Sequence, residues 1–329
     1  MRERVALGAV VLPFLVGVAA APAPDDGREV FRFQDPAIIE ASGLVEQGGL
    51  FLTTNDSGDT GRVFAVDPDT GRTAGVTTWA AEPQDVEALA PAGAGEVWVG
   101  DIGDNLEDRD SIRVTRVPVG TGDRDESGTS YDLVLPGPPQ DAESLLSHPD
   151  TGRLFAATKD IFGGALYAAP AKLSPDHPNL MKRVGPTLTL ATDGAFFPDG
   201  RHLVVRNYTQ AVVFTFPGLQ RVATIAMPDQ RQGEAIAVSA DDRVFVTSEG
   251  AHQAVLEVPL TAAVRERLAP SPAPEAAATT GTPKPRNELP EESAKPSRDP
   301  WQWVLGAGLF VTAVVVLLVA VRPNVRRRG

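Results

Sequence analysis

One pattern of hydrophobic and polar positions recurs five times along this chain. Each copy begins with an acidic or polar residue, runs through two short apolar segments separated by a turn, and enters a polar loop before a third apolar segment. The clearest copy covers residues 232–260, and the others lie at 40–68, 85–118, 141–170 and 193–217. A repeat of roughly 40–55 residues built from short strands is typical of β-propeller blades, which bury both faces only by stacking side by side.

The repeats therefore predict an all-β domain, a five-bladed β-propeller, at residues 29–268. A sixth blade within the long second or third repeat is the alternative. The last repeat has three strands where a blade needs four. Residues 29–34 alternate as a strand and have no repeat of their own, so we expect them to complete that blade and close the ring.

The two ends of the chain differ in composition from the repeats. Residues 1–21 combine arginines with a long apolar run and small residues, which predicts a secretory signal peptide; an uncleaved N-terminal anchor is the alternative. Residues 269–300 are rich in Pro, Ala, Thr, Ser and Glu and predict a disordered stalk. Residues 301–322 contain an uncharged apolar run that predicts a transmembrane helix, and residues 323–329 form a basic tail.

These segments together predict one orientation in a membrane. Basic residues that follow a membrane helix hold that side in the cytoplasm. We therefore expect a single-pass protein of the cell membrane, with the propeller outside and the C-terminus cytoplasmic. The membrane is the first partner that the sequence indicates.

Composition and charge exclude several classes of function. The 329 residues include no cysteine, so disulfides, thiolate zinc sites and cysteine nucleophiles are absent. A formal net charge of −13 repels phosphate backbones, which argues against nucleic-acid binding. The sequence has no G-x-S-x-G elbow and no P-loop, and none of the four His is paired at metal spacing. It leaves the oligomeric state open.

Candidate chemistry follows from propeller topology. The start of each innermost strand and the loop between the second and third strands reach the same face near the axis. Nearly every repeat places acidic or amide side chains at these positions. The candidate ligand-binding residues are Asp56, Asp85, Glu87, Asp101, Asp104, Asn105, Asp141, Glu143, Lys159, Asp193, Arg206, Glu234 and Glu249.

A ring of carboxylates suggests a divalent cation. Unpaired acids in one place raise each other's pKa, and Ca²⁺ accepts six to eight oxygen ligands in loose geometry. We predict Glu87, Asp101, Glu143 and Glu234 as candidate Ca²⁺ ligands. The alternative is that these acids cap turns and bond backbone between blades. Lys159 and Arg206, the only bases in the set, suit an anionic ester, or else they form local salt bridges to Asp160 or Asp193.

The motifs E-A-S-G-L with N-D-S-G, D-V-E-A-L with V-G-D-I-G-D-N, and Q-G-E-A-I-A with T-S-E-G carry a resemblance that covers about residues 30–260. The chain resembles secreted bacterial β-propellers of the TolB-like and esterase-like-phytase-related class, of the membrane-anchored actinobacterial sort. Phytase-type members bind calcium through clustered acids and hydrolyse phosphate esters beside Lys and Arg. By that resemblance, Glu87, Glu143 and Glu234 would take the acidic positions.

Two functions remain open at the level of sequence. The favoured one is an extracytoplasmic propeller, tethered to the membrane, that binds a ligand or protein partner on its acidic central face, with or without Ca²⁺. The alternative is a calcium-dependent hydrolase of the phosphoesterase or lactonase type on the same face. The absence of a nucleophile motif favours binding over catalysis.

Overall fold

The structure, a computed structural model, describes residues 27–79 and 82–269. The predicted signal peptide lies outside these residues, as do the predicted membrane helix, the basic tail and the stalk from residue 270 onward. No helix among the described residues is long and apolar enough to cross a membrane.

Strand pairing divides the described residues into five sheets, which are the blades. The chain enters with β1 (Arg28–Arg32), which belongs to the last blade. The first blade contains β2 (Ala41–Gln47), β3 (Leu50–Asn55), β4 (Arg62–Val66) and β5 (Thr73–Trp79). The second contains β6 (Val86–Pro91), β7 (Glu96–Asp101), β8 (Ile112–Pro118) and, after a short β9 (Arg124–Glu126), β10 (Thr129–Val134).

The remaining blades repeat the same antiparallel order. The third contains β11 (Ala142–Ser147), β12 (Leu154–Thr158), β13 (Ala165–Ala168) and, after a short β14 (Asn179–Leu180), β15 (Lys182–Pro186). The fourth contains β16 (Asp193–Phe196), β17 (His202–Arg206), β18 (Gln210–Thr215) and β19 (Arg221–Ala226). The fifth contains β20 (Gly233–Val238), β21 (Val244–Ser248) and β22 (Ala254–Val258), and α1 (Ala262–Leu268) follows it.

The blade count of five is confirmed, and the extra length of the second and third repeats builds no sixth sheet. Instead β9 leaves the second blade and pairs in parallel with β5 of the first. In the same way β14 leaves the third blade and pairs with β10 of the second. Each excursion covers the outer edge of the preceding blade, which removes an exposed row of unpaired backbone groups.

The first and last strands close the ring as predicted. β1 pairs antiparallel with β22, where Arg32 lies opposite Ala254, and completes the fifth blade. Packing continues from this blade into the first: the Phe51 ring makes edge contacts with Phe31 at 5.2 Å and with Phe245 at 5.0 Å. Aromatic edge-to-face pairs of this kind stabilise beyond the area they bury.

Candidate functional site

One face of the disc gathers the predicted residues. The register aligns the start of each inner strand with the end of the second strand, as in the pairs Val86 with Asp101 and Asp193 with Arg206. We call this face the mouth. It comprises the starts of the inner strands and the loops between second and third strands, at residues 39–42, 55–61, 84–87, 101–111, 140–143, 158–164, 191–193, 206–209, 231–234 and 248–253.

A β-bulge lies at the mouth end of four inner strands. In the first three blades one extra residue stands opposite the second strand, and in the fifth blade the register shifts at the same place. The residues at this position are Ser42, Glu87, Glu143 and Glu234. A bulge bends its strand and redirects the side chain there, so three glutamates reach the mouth by the same local device. The inner strand of the fourth blade pairs without a bulge.

Three carboxylates of the first and second blades form an acidic triad: Asp56, Asp85 and Glu87. One oxygen from each lies within 4.8 Å of the other two. Glu87 is only 6% exposed, and no hydrogen bond or ion pair from residues 27–79 or 82–269 reaches its carboxylate. Burial raises the pKa of Glu87 far above its ordinary value, and the charge of Glu143 adds to the shift.

Gly103 forms a wall of the triad. A Cβ atom at this position would lie 2.3 Å from Asp85 Oδ2 and 2.8 Å from Glu87 Oε1, so only glycine lets the backbone approach the two carboxylates. Burial raises the pKa of Asp85 to about 6, and the charges of Asp56 and Asp141 act in the same direction. Burial and crowding therefore favour the protonated forms of these carboxyls, and a cation bound here would favour their ionised forms.

Lys159 lies beside the triad in the third blade. Its Nζ donates to Glu143 Oε1 at 2.6 Å and stands 5.6 Å from the centre of the Tyr208 ring. Burial opposes the charge of this ammonium group, but the Glu143 carboxylate outweighs it and raises the pKa of Lys159. The predicted local salt bridge of Lys159 exists, but with Glu143 and not with Asp160. The positions of these residues in the sequence did not predict that Tyr208 lies beside Lys159.

Asp193 and Arg206 lie below the mouth surface and join the fourth blade to the fifth. Asp193 is fully buried and accepts from the backbone N–H of Ile236 at 2.8 Å and of Gly194 at 2.7 Å. Arg206 is also fully buried and donates to the Ala235 carbonyl at 3.1 Å. Burial lowers the pKa of Arg206 to about 10. Asp193 matches the inter-blade alternative that the sequence left open for the acids, whereas Arg206 bonds backbone carbonyls instead of forming the predicted salt bridge.

Three further acids organise the loop after β7. Asp101 forms an ion pair with Arg109 at 3.0 Å and accepts from the Asp85 N–H at 2.9 Å. Asp104 accepts from the Arg109 N–H at 3.0 Å, and its own N–H donates to Asp141 Oδ1 at 2.8 Å. Asn105 is exposed to solvent at the tip of this loop. These contacts cap the turn and tie the second blade to the third.

The four residues predicted as metal ligands separate in the structure. Glu87 belongs to the acidic triad, whereas Asp101 and Glu143 already have the ion-pair partners described above. Glu234 is buried, and burial raises its pKa. Glu249 lies nearby, and burial together with the charges of Glu234 and Asp56 raises its pKa to about 7.

The chain matches no family model and no curated protein. Among solved structures it is similar to the glutaminyl cyclase of Myxococcus xanthus, with 12% identity and a TM-score of 0.48 over 73% of this chain and 100% of that one. It is also similar to a chain of a nidogen/laminin complex, with 13% identity and a TM-score of 0.40 over 64% and 73% of the two chains. Identities this low transfer no activity, and the propeller architecture rests on the strand pairing above.

Proposed function

We propose that this protein is a membrane-tethered, extracytoplasmic β-propeller that binds a ligand or a protein partner at its mouth, with Ca²⁺ held by the acidic triad. One observation carries the proposal: Glu87 is buried beside two other carboxylates, and no described residue donates a hydrogen bond to it or forms an ion pair with it. Burial and the neighbouring acids disfavour the ionised form of Glu87, and a bound cation would favour it.

The donor set suits Ca²⁺ better than a softer metal. Asp56, Asp85 and Glu87 offer only carboxylate oxygens, which hard cations prefer, and the described residues bring no His into the triad. Loop and bulge positions tolerate the loose geometry of calcium sites. The remaining ligands of the cation would come from water.

The proposed location rests on the sequence of the two ends. An apolar run at 303–321 followed by basic residues supports a single membrane span with a cytoplasmic tail. The N-terminal run supports export. The acidic mouth would then face the medium outside the cell, where Ca²⁺ is abundant enough for sites of modest affinity.

Calcium titration of the full-length chain tests the cation site. We expect saturable heat by calorimetry, and a gain of about 2.7 kcal/mol in stability when Ca²⁺ exceeds its dissociation constant about a hundredfold. Glu87→Gln should weaken binding by about tenfold or more. Glu107→Gln changes an exposed acid of the same face and should leave affinity unchanged. No saturable heat and no shift in melting temperature would remove the metal from the proposal.

A calcium-dependent hydrolase of the phosphoesterase or lactonase type is the second candidate. The observation that favours it is Lys159, whose ammonium group borders the triad and could hold an anionic group of a substrate. Arg206, by contrast, is fully buried and bonded to backbone, so the anionic group would rely on Lys159.

Turnover assays separate the two candidates. A panel of phosphate esters and lactones, each with and without EDTA, should show no turnover for a binding protein. EDTA-sensitive hydrolysis that falls about tenfold or more in Glu143→Gln or Glu234→Gln would instead establish the hydrolase.

A further inference from the structure

Large apolar side chains are exposed almost entirely at the mouth. The described residues expose five: Ile39 is 46% exposed, Leu106 82%, Ile161 66%, Phe162 92% and Leu180 62%. The first four lie at the mouth, whereas Leu180 lies in β14, on the outer edge of the second blade. Scattered exposed leucines are ordinary, but a group on one functional face of a soluble domain marks an interaction surface.

The loops that carry three of these side chains meet at one residue. Leu106 lies in the loop after β7, and Ile161 and Phe162 lie in the loop after β12. Asp141 accepts from the Asp104 N–H of the first loop at 2.8 Å, and its carbonyl accepts from the Lys159 N–H of the second at 3.0 Å. The apolar side chains therefore flank the start of β11, next to the glutamates of the mouth.

The charge around this apolar group is acidic and incompletely balanced. Glu107 and Asp108 are exposed beside Leu106, and Asp160 is exposed beside Ile161. Three bases of this face are already ion-paired with acids of this chain: Arg62 with Asp59 at 2.8 Å, Arg109 with Asp101 at 3.0 Å and Lys159 with Glu143 at 2.6 Å. A fourth, Arg231, is exposed in the mouth segment of the fifth blade. The acidic triad keeps no such partner among the described residues.

We propose that the mouth docks a polypeptide segment in which a lysine or arginine is flanked by large apolar residues. The cationic side chain enters the mouth at Asp56, Asp85 and Glu87, while its neighbours cover Leu106, Ile161 and Phe162. Charge complementarity selects this occupant, because an anionic bilayer or a nucleic acid would be repelled by the same acids. The inference deepens the proposed function by naming its partner, and it makes the peptide and Ca²⁺ competitors for the triad.

Three capped, fluorescein-labelled peptides that differ only at their centre test the inference on the full-length chain. One carries Leu-Lys-Phe, the second Leu-Gln-Phe and the third Ser-Lys-Ser. By fluorescence anisotropy we expect the first to bind about tenfold or more tighter than either control, because both the charge and the apolar flanks contribute. If the Ser-Lys-Ser peptide binds as tightly as the Leu-Lys-Phe peptide, the mouth recognises charge alone and the inference is overturned.

A matched pair of variants locates the contact. Phe162→Ser removes a side chain that is 92% exposed, so folding is unaffected. The substitution should lower the affinity for the Leu-Lys-Phe peptide by about tenfold. Leu180→Ser removes an apolar side chain away from the mouth and should change nothing. If Phe162→Ser leaves peptide affinity unchanged, the inference is overturned. It is also overturned if the protein binds phosphatidylcholine vesicles through Phe162 and shows no preference among the peptides.

Calcium distinguishes failure of this inference from failure of the proposed function. Competition between Ca²⁺ and the Leu-Lys-Phe peptide supports both. Calcium binding with no peptide preference leaves the proposed cation site and overturns the docking inference. Peptide binding without any calcium binding confirms docking and removes the metal.

Discussion

Two buried carboxyl groups, Asp193 and Glu87, show how similar residues take different roles in this fold. Asp193 accepts two backbone N–H groups and so stabilises the junction of the fourth and fifth blades. Glu87 receives no hydrogen bond from the described residues and lies beside the carboxylates of Asp56 and Asp85. Burial raises the pKa of both groups, so the pKa alone does not separate a structural acid from one in the proposed cation site.

The pKa of Glu249 predicts how stability depends on pH. Burial, with Glu234, Asp56 and Glu40, raises it to about 7. In the unfolded chain the same group titrates at its lower, ordinary value, so the folded state binds more protons between the two values. Stability is therefore greatest below the unfolded pKa and falls as pH rises. Without divalent cations, the melting temperature should decrease from about pH 5 to about pH 8.

Substitution of Glu249 by Gln provides the check. In Glu249→Gln the group no longer titrates, so thermal unfolding followed by circular dichroism should show a shallower fall across that range. Glu107→Gln, at an exposed position of the same face, serves as the control and should keep the wild-type slope. An unchanged slope in Glu249→Gln, or a melting temperature that rises with pH, would contradict the assignment.

At the scale of single elements, the bulge in the inner strands brings three glutamates to the mouth. Glu87, Glu143 and Glu234 follow a small or β-branched residue and precede a small one, as in Val86-Glu87-Ala88. This spacing was visible in the sequence and could have been interpreted as a bulge signal. The fourth inner strand begins Asp193-Gly194 and pairs regularly, so its acid turns to backbone instead.

The sequence predicted which residues gather at the mouth better than what each of them does. Their position follows from the order of strands, which repeats and is therefore visible in one chain. Their partners depend on three-dimensional contacts. Arg109 forms an ion pair with Asp101, and Lys159 forms one with Glu143 instead of with its sequence neighbour Asp160. Gly103 was not singled out, because its proximity to Asp85 depends on three-dimensional packing. The roles as a binding site stay predictions.

On the scale of the whole molecule, the five-bladed ring was predictable. Each blade repeats one hydrophobic pattern, and its inner strand pairs with the strand that follows it directly in the sequence. The excursions of β9 and β14 to the preceding blades were not predictable, since a strand of two or three residues leaves almost no periodicity. The pairing of β1 with β22 was predictable from counting strands, because an open ring would leave two exposed edges.

Closure by β1 predicts that a short segment holds much of the molecule's stability. Phe31 is 6% exposed and Phe33 is fully buried, and each such side chain contributes roughly 1.5–3 kcal/mol. Deleting residues 1–33 removes both side chains and exposes the edge of β22. This loss is a large part of the free energy of unfolding of a typical domain, which is about 5–15 kcal/mol. We expect this truncation to lose its cooperative thermal transition and to aggregate in size-exclusion chromatography. Deleting residues 1–26 keeps β1 and should preserve the transition.

A peptide of residues 27–36 added to the 1–33 truncation sharpens the test, because it supplies β1 without restoring the covalent link. If β22 is the open edge, the peptide should pair with it and recover a cooperative transition whose midpoint rises with peptide concentration. A peptide with Phe31 and Phe33 replaced by Ser should not do so, since it pairs backbone but buries no aromatic ring beside Phe51. Equal stability of both truncations would show that the ring does not depend on this closure.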